Sequence, residues 1–297
     1  MKQHIRSLLE SIARSLSEAQ GEDIALEWVR NLPGGDINYA AHVRCGNMNW
    51  FLKYHTNAPR GMFAGEALAL AEITKQDRIK APSPITQGNH GNIDWLVLEF
   101  IELSSTGSAS RLGEELAALH TVTGKQYGWS EDNYIGTTPQ INAHCDNWVH
   151  FWRDYRLKPQ FQMAENAGHT GRLTDLGERL LDKLDQLMDG HQPAPSLLHG
   201  DLWAGNKAFT MDGRPVIFDP ASYYGDRETD IAMTELFGGF SKDFYSAYKA
   251  SFPLSDGYTM RRDLYNLYHM LNHLNLFGRG YLSRCESMID RLLAQVG

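Results

Sequence analysis

Two short apolar runs, each followed by side chains that carry oxygen ligands, constrain this chain more than any other feature of its sequence. The first run leads into the segment His199–Asn206, in which Asp201 and Asn206 are five residues apart. The second leads into Asp219, thirteen residues beyond Asn206. A short apolar run is typical of a buried strand, and a strand end holds the residues that follow it in a fixed direction. The spacing therefore predicts a preorganised site.

The order H-x-D-x-x-x-x-N followed by a further aspartate is that of a phosphoryl-transfer site. This reaction needs a carboxylate beside the accepting hydroxyl and hard oxygen ligands that hold Mg²⁺ on the phosphates. We therefore expect Asp201 to be catalytic, Asn206 and Asp219 to be the metal ligands, and ATP and Mg²⁺ to be the cofactors. His199 is expected to have a structural role, through hydrogen bonds to nearby backbone.

The preceding part of the chain contains candidates for nucleotide binding. Lys53 follows a strand-like run and Glu66 lies on the next predicted helix, which is the arrangement that directs a lysine at the α and β phosphates. Glycines that could cover the phosphates lie before the first hairpin strand, and the end of a later strand could offer its backbone to adenine. These candidates are Gly34 and Gly35 for the phosphates, and Glu99, Phe100 and Ile101 for adenine.

Composition excludes several other classes of protein. The formal net charge of −8 argues against binding nucleic acid or anionic membrane through charge, and no apolar run is long enough to span a bilayer. The three cysteines are widely spaced and odd in number, so they indicate no disulfide framework. Because the first residues also lack the apolar core of a signal peptide, we expect a cytoplasmic location. Oligomeric state is left open.

Periodicity predicts an α+β, bilobal fold with a small β-rich lobe at 1–103 and a larger, mainly helical lobe at 104–297. In the first lobe we expect helices at 4–19 and 61–76, a hairpin of strands 38–44 and 49–55, and a strand at 95–101. In the second we expect helices at 111–123, 144–166 and 175–189, a loop around 133–139, and three or four helices within 228–250 and 258–295.

The segment His199–Asn206 with its internal Trp203 and Gly205 resembles the fructosamine kinase, or ketosamine-3-kinase, family, which belongs to the aminoglycoside-phosphotransferase-like branch of the protein kinase fold. The resemblance extends over nearly the whole chain. It is carried also by Tyr127–Gly136, Gln140–Asn142, Trp148–Leu157, Ile217–Ala221 and Tyr224–Ala232.

This resemblance implies ATP-dependent phosphorylation of a sugar hydroxyl on a ketosamine, either a small molecule or protein-bound. It also implies that Asp230 braces the loop after Asp219. The alternatives are a kinase for an aminoglycoside or an amino alcohol, and a catalytically silent nucleotide-binding protein. A polycationic acceptor would be favoured by a cluster of acidic residues over the acceptor site, for which Asp226 and Glu228 are the candidates.

Regulation by phosphorylation is not expected. Gly200 stands where many protein kinases carry the arginine that receives a phosphorylated activation loop, and no A-P-E sequence follows Asp219. The sequence therefore predicts a kinase of the small-molecule type, whose active site is assembled without phosphorylation of an activation loop.

Overall fold

The computed structural model describes residues 2–33 and 37–297, and the chain divides into two compact units. Unit 1 comprises the residues up to Ser108 together with Lys207–Asp219, and unit 2 comprises Ala109–Asn206 together with Pro220–Gly297. An antiparallel sheet dominates the first unit and helices dominate the second, which confirms the predicted α+β class. The lobe boundary at residue 103 stays a prediction.

Unit 1 is built on a five-stranded antiparallel sheet in the order β1-β2-β3-β5-β4. Its strands are β1 (Glu27–Leu32), β2 (Tyr39–Cys45), β3 (Met48–Thr56), β4 (Pro84–His90) and β5 (Ile93–Glu99), and its helices are α1 (Lys2–Gln20) and α2 (Met62–Gln76). The predicted hairpin is present, because β2 and β3 pair in register around the turn at Gly46–Asn47. The predicted helices 4–19 and 61–76 are confirmed as α1 and α2.

The core of unit 1 follows from the helical repeat of apolar residues in α1 and from the alternation of residues along the strands. Leu8, Ile12 and Leu16 recur on one face of α1 and are buried. They pack on one face of the sheet, where alternate residues of β3 such as Trp50 and Leu52 are also buried. Alternation places Lys53 on the opposite face of the same strand. The apolar core therefore lies on one side of the sheet, and Lys53 lies on the other.

Unit 1 also includes a three-stranded sheet, formed where the chain returns after the Asp201 segment. Its strands are β6 (Leu103–Ser104), β10 (Lys207–Thr210) and β11 (Pro215–Ile217). β10 and β11 form a hairpin in which Lys207 pairs with Ile217. Residues that precede and follow this hairpin consequently leave it at the same end.

Unit 2 is mainly helical. Its helices are α3 (Ala109–His120), α4 (Trp148–Trp152), α5 (Lys158–Asn166), α6 (Arg172–Asp182), α7 (Leu184–Met188), α8 (Glu228–Leu236), α9 (Lys242–Ser251), α10 (Tyr258–Phe277) and α11 (Leu282–Leu293). Its short strands are β7 (Asn133–Ile135), β8 (Thr138–Gln140), β9 (Ser196–Leu197) and β12 (Tyr224–Gly225). The long α10 is buried along most of its length and packs against α5, α8 and α11. Among the described residues, no helix is both long and apolar enough to cross a membrane.

The structure differs from the sequence analysis at four places. The predicted helix 175–189 is two helices, α6 and α7, separated at Lys183. The polar strand β4 was not predicted, because Pro82 and Pro84 suggest only a break. Pro84 is tolerated as the first residue of a strand at the sheet edge. The region around 133–139 is not a loop but the hairpin β7–β8. The predicted helix 144–166 begins at Trp148 and contains a π-helical turn at Arg153–Leu157 between α4 and α5.

Candidate active site

Lys53, Glu66 and Asp219 form one charged cluster in unit 1. Lys53 lies on the central strand β3, and its Nζ donates to both carboxylate oxygens of Glu66 on α2, each at 2.8 Å. The same Nζ lies 2.9 Å from Oδ1 of Asp219. The lysine and glutamate side chains are almost fully buried, whereas that of Asp219 is 35% exposed. The cluster therefore has one carboxylate open to a ligand.

The charges in this cluster shift one another's protonation. Burial alone would lower the pKa of Lys53, but the charges of Asp219 and Glu66 outweigh burial and raise it. The pKa of Glu66 is raised because burial and repulsion by Asp219 together exceed the attraction of Lys53. Lys53 is thus held as a cation, and the surplus negative charge of the cluster can be offset by a bound cation beside Asp219.

Asp219 has an unusual backbone conformation. It follows β11 and Phe218, and its φ of 59° lies in the left-handed region. A residue other than glycine rarely adopts this region, although aspartate tolerates it better than most. Such conformations concentrate at functional sites, where they direct a side chain. Here the side chain is directed at Lys53.

Asp201 and Asn206 are brought together in unit 2 by a tight loop. The loop leaves β9 and ends in a 3-10 turn at Ala204–Asn206. The amide Nδ2 of Asn206 donates to the backbone oxygen of Asp201 at 2.9 Å and to its carboxylate Oδ2 at 3.3 Å. Because the nitrogen of the amide faces Asp201, the amide oxygen points away from that contact. An oxygen so placed is suited to a hard cation such as Mg²⁺.

The start of this loop is fixed by a buried carboxylate. Asp230 on α8 accepts from the backbone N–H of His199 at 2.7 Å and from that of Gly200 at 2.8 Å. His120 at the end of α3 contacts the same carboxylate at 3.1 Å. Asp230 therefore braces the loop that carries Asp201, whereas its expected brace on the segment after Asp219 stays a prediction. His199 has the structural role expected of it, because its Nδ1 accepts from the N–H of Asp201 at 3.2 Å.

Two glycines of the loop are required by their surroundings. Gly200 has a φ of 86°, and a Cβ there would lie 2.1 Å from the carbonyl oxygen of Ala221. A Cβ on Gly205 would lie 2.3 Å from the indole of Trp203. Trp203 thus folds back over Gly205, with 37% of its surface exposed. These contacts explain why glycine occupies both positions, and they place an exposed indole two residues from Asp201.

The residues predicted to contact adenine lie at the end of β5. Glu99 is held by Lys80, whose Nζ donates to Oε1 at 2.8 Å, and by the N–H of Ser83 at 3.2 Å. Phe100 stacks on His42 with ring centroids 4.1 Å apart. Ile101 follows at the same strand end. Because the Glu99 carboxylate is already paired, the part of Glu99 that remains for contact with adenine would be its backbone. The predicted phosphate-covering residues Gly34 and Gly35 lie outside the described residues.

Asp226 and Glu228 do not line an open acceptor site, because both are buried in a polar network of unit 2. Asp226 accepts from Tyr265 at 2.5 Å and contacts His191 at 2.7 Å. Arg261 donates to both oxygens of Glu228, at 2.7 and 3.0 Å. The ligand atoms of His191, Asp226 and Glu228 lie within 4.8 Å of one another, as a metal site would need. Arg261 already pairs with Glu228, and Tyr265 and His191 already contact Asp226, so we assign this cluster to the structure of the fold.

Sequence reasoning missed His120, Arg261 and Tyr265. Each lies on a helix, far along the chain from the carboxylate it contacts, and each is an ordinary member of a helical pattern. Only Asp230, through the family resemblance, gave a signal that the loop has a buried support.

Comparison with known proteins agrees with this geometry. Residues 8–295 match the fructosamine kinase family. A probable ketoamine kinase of Synechocystis sp. is 41% identical over 287 residues, covering 96% of this chain and 96% of that protein. The chloroplastic protein-ribulosamine 3-kinase of Arabidopsis thaliana is 38% identical over 278 residues, covering 92% of this chain and 85% of that protein.

Solved structures show the same fold. The crystal structure of a candidate fructosamine-3-kinase from Haemophilus somnus 129PT superimposes with a TM-score of 0.87 at 30% identity, covering 95% of this chain and 96% of that one. Aminoglycoside phosphotransferase APH(4)-Ia, at 14% identity, shares the kinase-like fold with a TM-score of 0.60 and covers 96% and 99% of the two chains. The family match over residues 8–295, with relatives about 40% identical over nearly the full length, shows that this chain belongs to the fructosamine kinase family.

Proposed function

We propose that this protein is an ATP-dependent kinase that phosphorylates a sugar hydroxyl of ketosamines. The observation that carries the proposal is the loop in which Asn206 holds the carboxylate of Asp201, in a chain of the fructosamine kinase family. The relatives named above as ketoamine and protein-ribulosamine kinases support a ketosamine acceptor, small or protein-bound. A cytoplasmic location stays a prediction.

Asp201 would orient the acceptor hydroxyl and accept its proton as the oxygen attacks the γ-phosphorus. A carboxylate held by an amide that also bonds the backbone of the same residue loses little freedom when substrate binds, so its position costs little at the moment of reaction. The brace from Asp230 to His199 and Gly200 fixes the same loop from behind. These contacts support a base whose direction is set before the substrate arrives.

Asn206 and Asp219 would hold Mg²⁺. When bound, the ion offsets phosphate charge and aligns the transferred group. The donor set fits, since an amide oxygen and a half-exposed carboxylate are hard ligands of the kind that Mg²⁺ shares with phosphate oxygens. In the chain, Asn206 directly precedes β10, and Asp219 follows β11 after Phe218.

Lys53 would contact the phosphates of ATP, with Glu66 holding the ammonium in place. The two hydrogen bonds of 2.8 Å restrict the lysine to one direction, and its raised pKa keeps it charged. We further propose that the backbone of Glu99, Phe100 and Ile101 contacts adenine and that Gly34 and Gly35 cover the phosphates.

The rival acceptors are distinguished by charge. A polycationic aminoglycoside would need several exposed carboxylates, but the two candidates, Asp226 and Glu228, are each 1% exposed and are paired with protein groups. A panel of ADP-release assays with ketosamines, aminoglycosides and choline tests the proposal, with the Asp201→Ala protein as the blank. We expect ketosamine-dependent ADP release. ADP release with aminoglycosides or choline, and none with ketosamines, would overturn the assigned substrate.

A further inference from the structure

Three of the segments that carry the family resemblance supply no residue to the candidate active site. They are Tyr127–Gly136, Gln140–Asn142 and Trp148–Leu157. Buried polar side chains of these segments meet in one group of unit 2, which we call the amide network: Asn133, Gln140, Asn142 and Arg156, each at most 3% exposed. A buried polar group costs free energy unless it is hydrogen-bonded, so the partners of these side chains show what the network holds.

Arg156 sets the direction of the network at one end. Its Cζ lies over the rings of Phe151 and Tyr223, 4.6 and 4.0 Å from their centroids. Its guanidinium donates to the backbone oxygen of Ile141 at 2.6 Å and to Oδ1 of Asn142 at 2.8 Å. Because arginine can only donate, the amide of Asn142 turns its oxygen toward Arg156 and its nitrogen away.

The other two amides carry this direction on to the backbone. Nδ2 of Asn142 and Nε2 of Gln140 both donate to Oδ1 of Asn133, at 2.9 and 2.8 Å. Nδ2 of Asn133 in turn donates to the backbone oxygen of Ser222 at 2.8 Å. Nε2 of Gln140 also donates to the backbone oxygen of Ala221, at 3.0 Å. Since carbonyl oxygens can only accept, the network has one direction, and it ends on the backbone of two adjacent residues.

Ala221 contacts the loop that carries the proposed base. Its N–H donates to the backbone oxygen of His199 at 2.9 Å. Its own carbonyl oxygen would lie 2.1 Å from a Cβ on Gly200, so the backbone of the loop passes directly against it. Both backbone groups of His199 are therefore held, the N–H by Asp230 and the oxygen by Ala221. His199 is two residues before Asp201 in the chain.

We infer that the amide network positions the Asp201 loop for phosphoryl transfer by fixing the backbone oxygens of Ala221 and Ser222, an inference that rests on the proposed function. A buried network of hydrogen bonds rigidifies the backbone that it holds. A misplacement of about 1 Å can lower a rate about 10²-fold, so the base is sensitive to the position of this backbone. Asn133 contacts both other amides and the backbone of Ser222, which makes it the positioning residue to replace.

The test compares two equally buried asparagines of unit 2, Asn133 and Asn272, each 3% exposed. Asn272 lies on α10 and accepts from Gln160 at 3.4 Å, outside the amide network. We expect Asn133→Leu to lower kcat for fructosyl-lysine by about 10- to 100-fold, with KM for ATP within about twofold of the wild-type value. The KM for ATP should hold because the proposed nucleotide contacts belong to unit 1. Asn272→Leu should lower the melting temperature by a similar amount and leave kcat unchanged.

A milder change keeps the test decisive if Asn133→Leu does not fold. The hydroxyl of Tyr268 donates to Oε1 of Gln140 at 2.8 Å, and Tyr268→Phe removes only this oxygen. We expect its kcat to fall about three- to tenfold, the effect of one hydrogen bond, again without a change in KM for ATP. The control is Tyr258→Phe on the same helix, because the hydroxyl of Tyr258 donates instead to Glu235 at 2.8 Å.

Equal losses of kcat in the two asparagine variants, or an unchanged kcat in a folded Asn133→Leu protein, would overturn the positioning role alone. So would an unchanged kcat in Tyr268→Phe where Asn133→Leu does not fold. A rise in KM for ATP in place of the fall in kcat would also overturn it, because the network would then act on nucleotide binding. In each of these cases wild-type activity on fructosyl-lysine leaves the proposed function standing. A wild type that phosphorylates no ketosamine would remove both.

Discussion

A lysine enclosed by two carboxylates is tightly constrained in unit 1. Lys53 is almost completely buried, and burial alone would lower its pKa. Glu66 and Asp219 reverse that effect. A charge held in this way needs no reorganisation when phosphates arrive, which is the condition under which electrostatic stabilisation is most effective.

Replacing Lys53 should therefore impair nucleotide use. For Lys53→Met we expect kcat/KM for ATP to fall by about 10²- to 10³-fold, the range typical of losing one preorganised donor. The control is Lys75→Met on the same helix as Glu66, where the side chain is 73% exposed and its loss should be silent. Steady-state kinetics with varied ATP measures both. An unchanged kcat/KM in Lys53→Met would remove this lysine from the site.

Asp230 should couple stability to pH. Burial alone would raise the pKa of Asp230, but the hydrogen bond and charge of His120, the charge of His199 and the Gly200 N–H lower it overall. A carboxyl whose pKa is lower in the folded protein than in the unfolded chain, where it is about 3.9, stabilises the fold at neutral pH. This contribution disappears as the pH falls below about 4, through the folded-state pKa.

We expect Asp230→Asn to lower the free energy of unfolding by about 2 to 3 kcal/mol at pH 7, the order of a lost hydrogen bond to a charged group. Urea unfolding at a series of pH values between 7 and 3 measures this. The gap between wild type and variant should narrow as the pH approaches 3. A gap that stays constant or widens in acid would contradict the assigned ionisation.

At the scale of elements, a buried ion pair links two helices whose contact cannot be predicted from local sequence. Arg261 on α10 donates two hydrogen bonds to Glu228 on α8, and both side chains are at most 5% exposed. Removing one partner leaves a buried charge uncompensated, which commonly costs about 3 to 5 kcal/mol. The exposed pair Arg6–Glu10 on α1 offers a contrast, since such pairs contribute less than about 1 kcal/mol.

Glu228→Gln should consequently lower the melting temperature by several degrees, whereas Glu10→Gln should leave it nearly unchanged. Calorimetry of the two variants beside wild type makes the comparison. The Glu228 variant keeps the shape of the side chain, so its effect isolates charge. Equal melting temperatures would show that the buried pair contributes no more than the exposed one.

The segment after Asp219 supports the absence of an activation loop. From Pro220 to Asp230 every residue except Tyr224 is buried, and Ser222 and Thr229 are almost inaccessible to solvent. A kinase could not reach these hydroxyls without local unfolding. We expect full activity after phosphatase treatment, with intact mass showing an unphosphorylated chain. A dependence of activity on phosphate in this segment would overturn the prediction.

At the scale of the whole molecule, sequence periodicity predicted α1, the β2–β3 hairpin, α2 and the helices from residue 228 onward, because each has an apolar face with a clear repeat. It missed β4, whose polar residues do not alternate, and the β7–β8 hairpin, whose strands are only three residues long. The π-helical turn within 144–166 depends on packing that no local pattern records.

The site was predictable to the extent that its residues are close in sequence. Asp201 and Asn206 are five residues apart in one loop, so a short loop is enough to bring them within hydrogen-bond distance. The residues that support this loop could not be predicted from the sequence. Asp230, which braces the loop, is contacted by His120, and these two residues are 110 positions apart in the chain. Such contacts depend on helix packing across the whole unit, where many residue types would satisfy the same apolar pattern.

The central claim is that Asp201 is the base for phosphoryl transfer from ATP to a ketosamine. The most direct measurement is single-turnover phosphorylation of fructosyl-lysine with γ-labelled ATP, comparing wild type with Asp201→Asn, alongside ATP affinity by calorimetry. We predict one phosphorylated ketosamine per ADP in wild type, and a rate about 10²- to 10⁴-fold lower in the variant with ATP affinity essentially unchanged. A variant that transfers phosphate at the wild-type rate, or a wild type that releases ADP without phosphorylating the ketosamine, would contradict the claim.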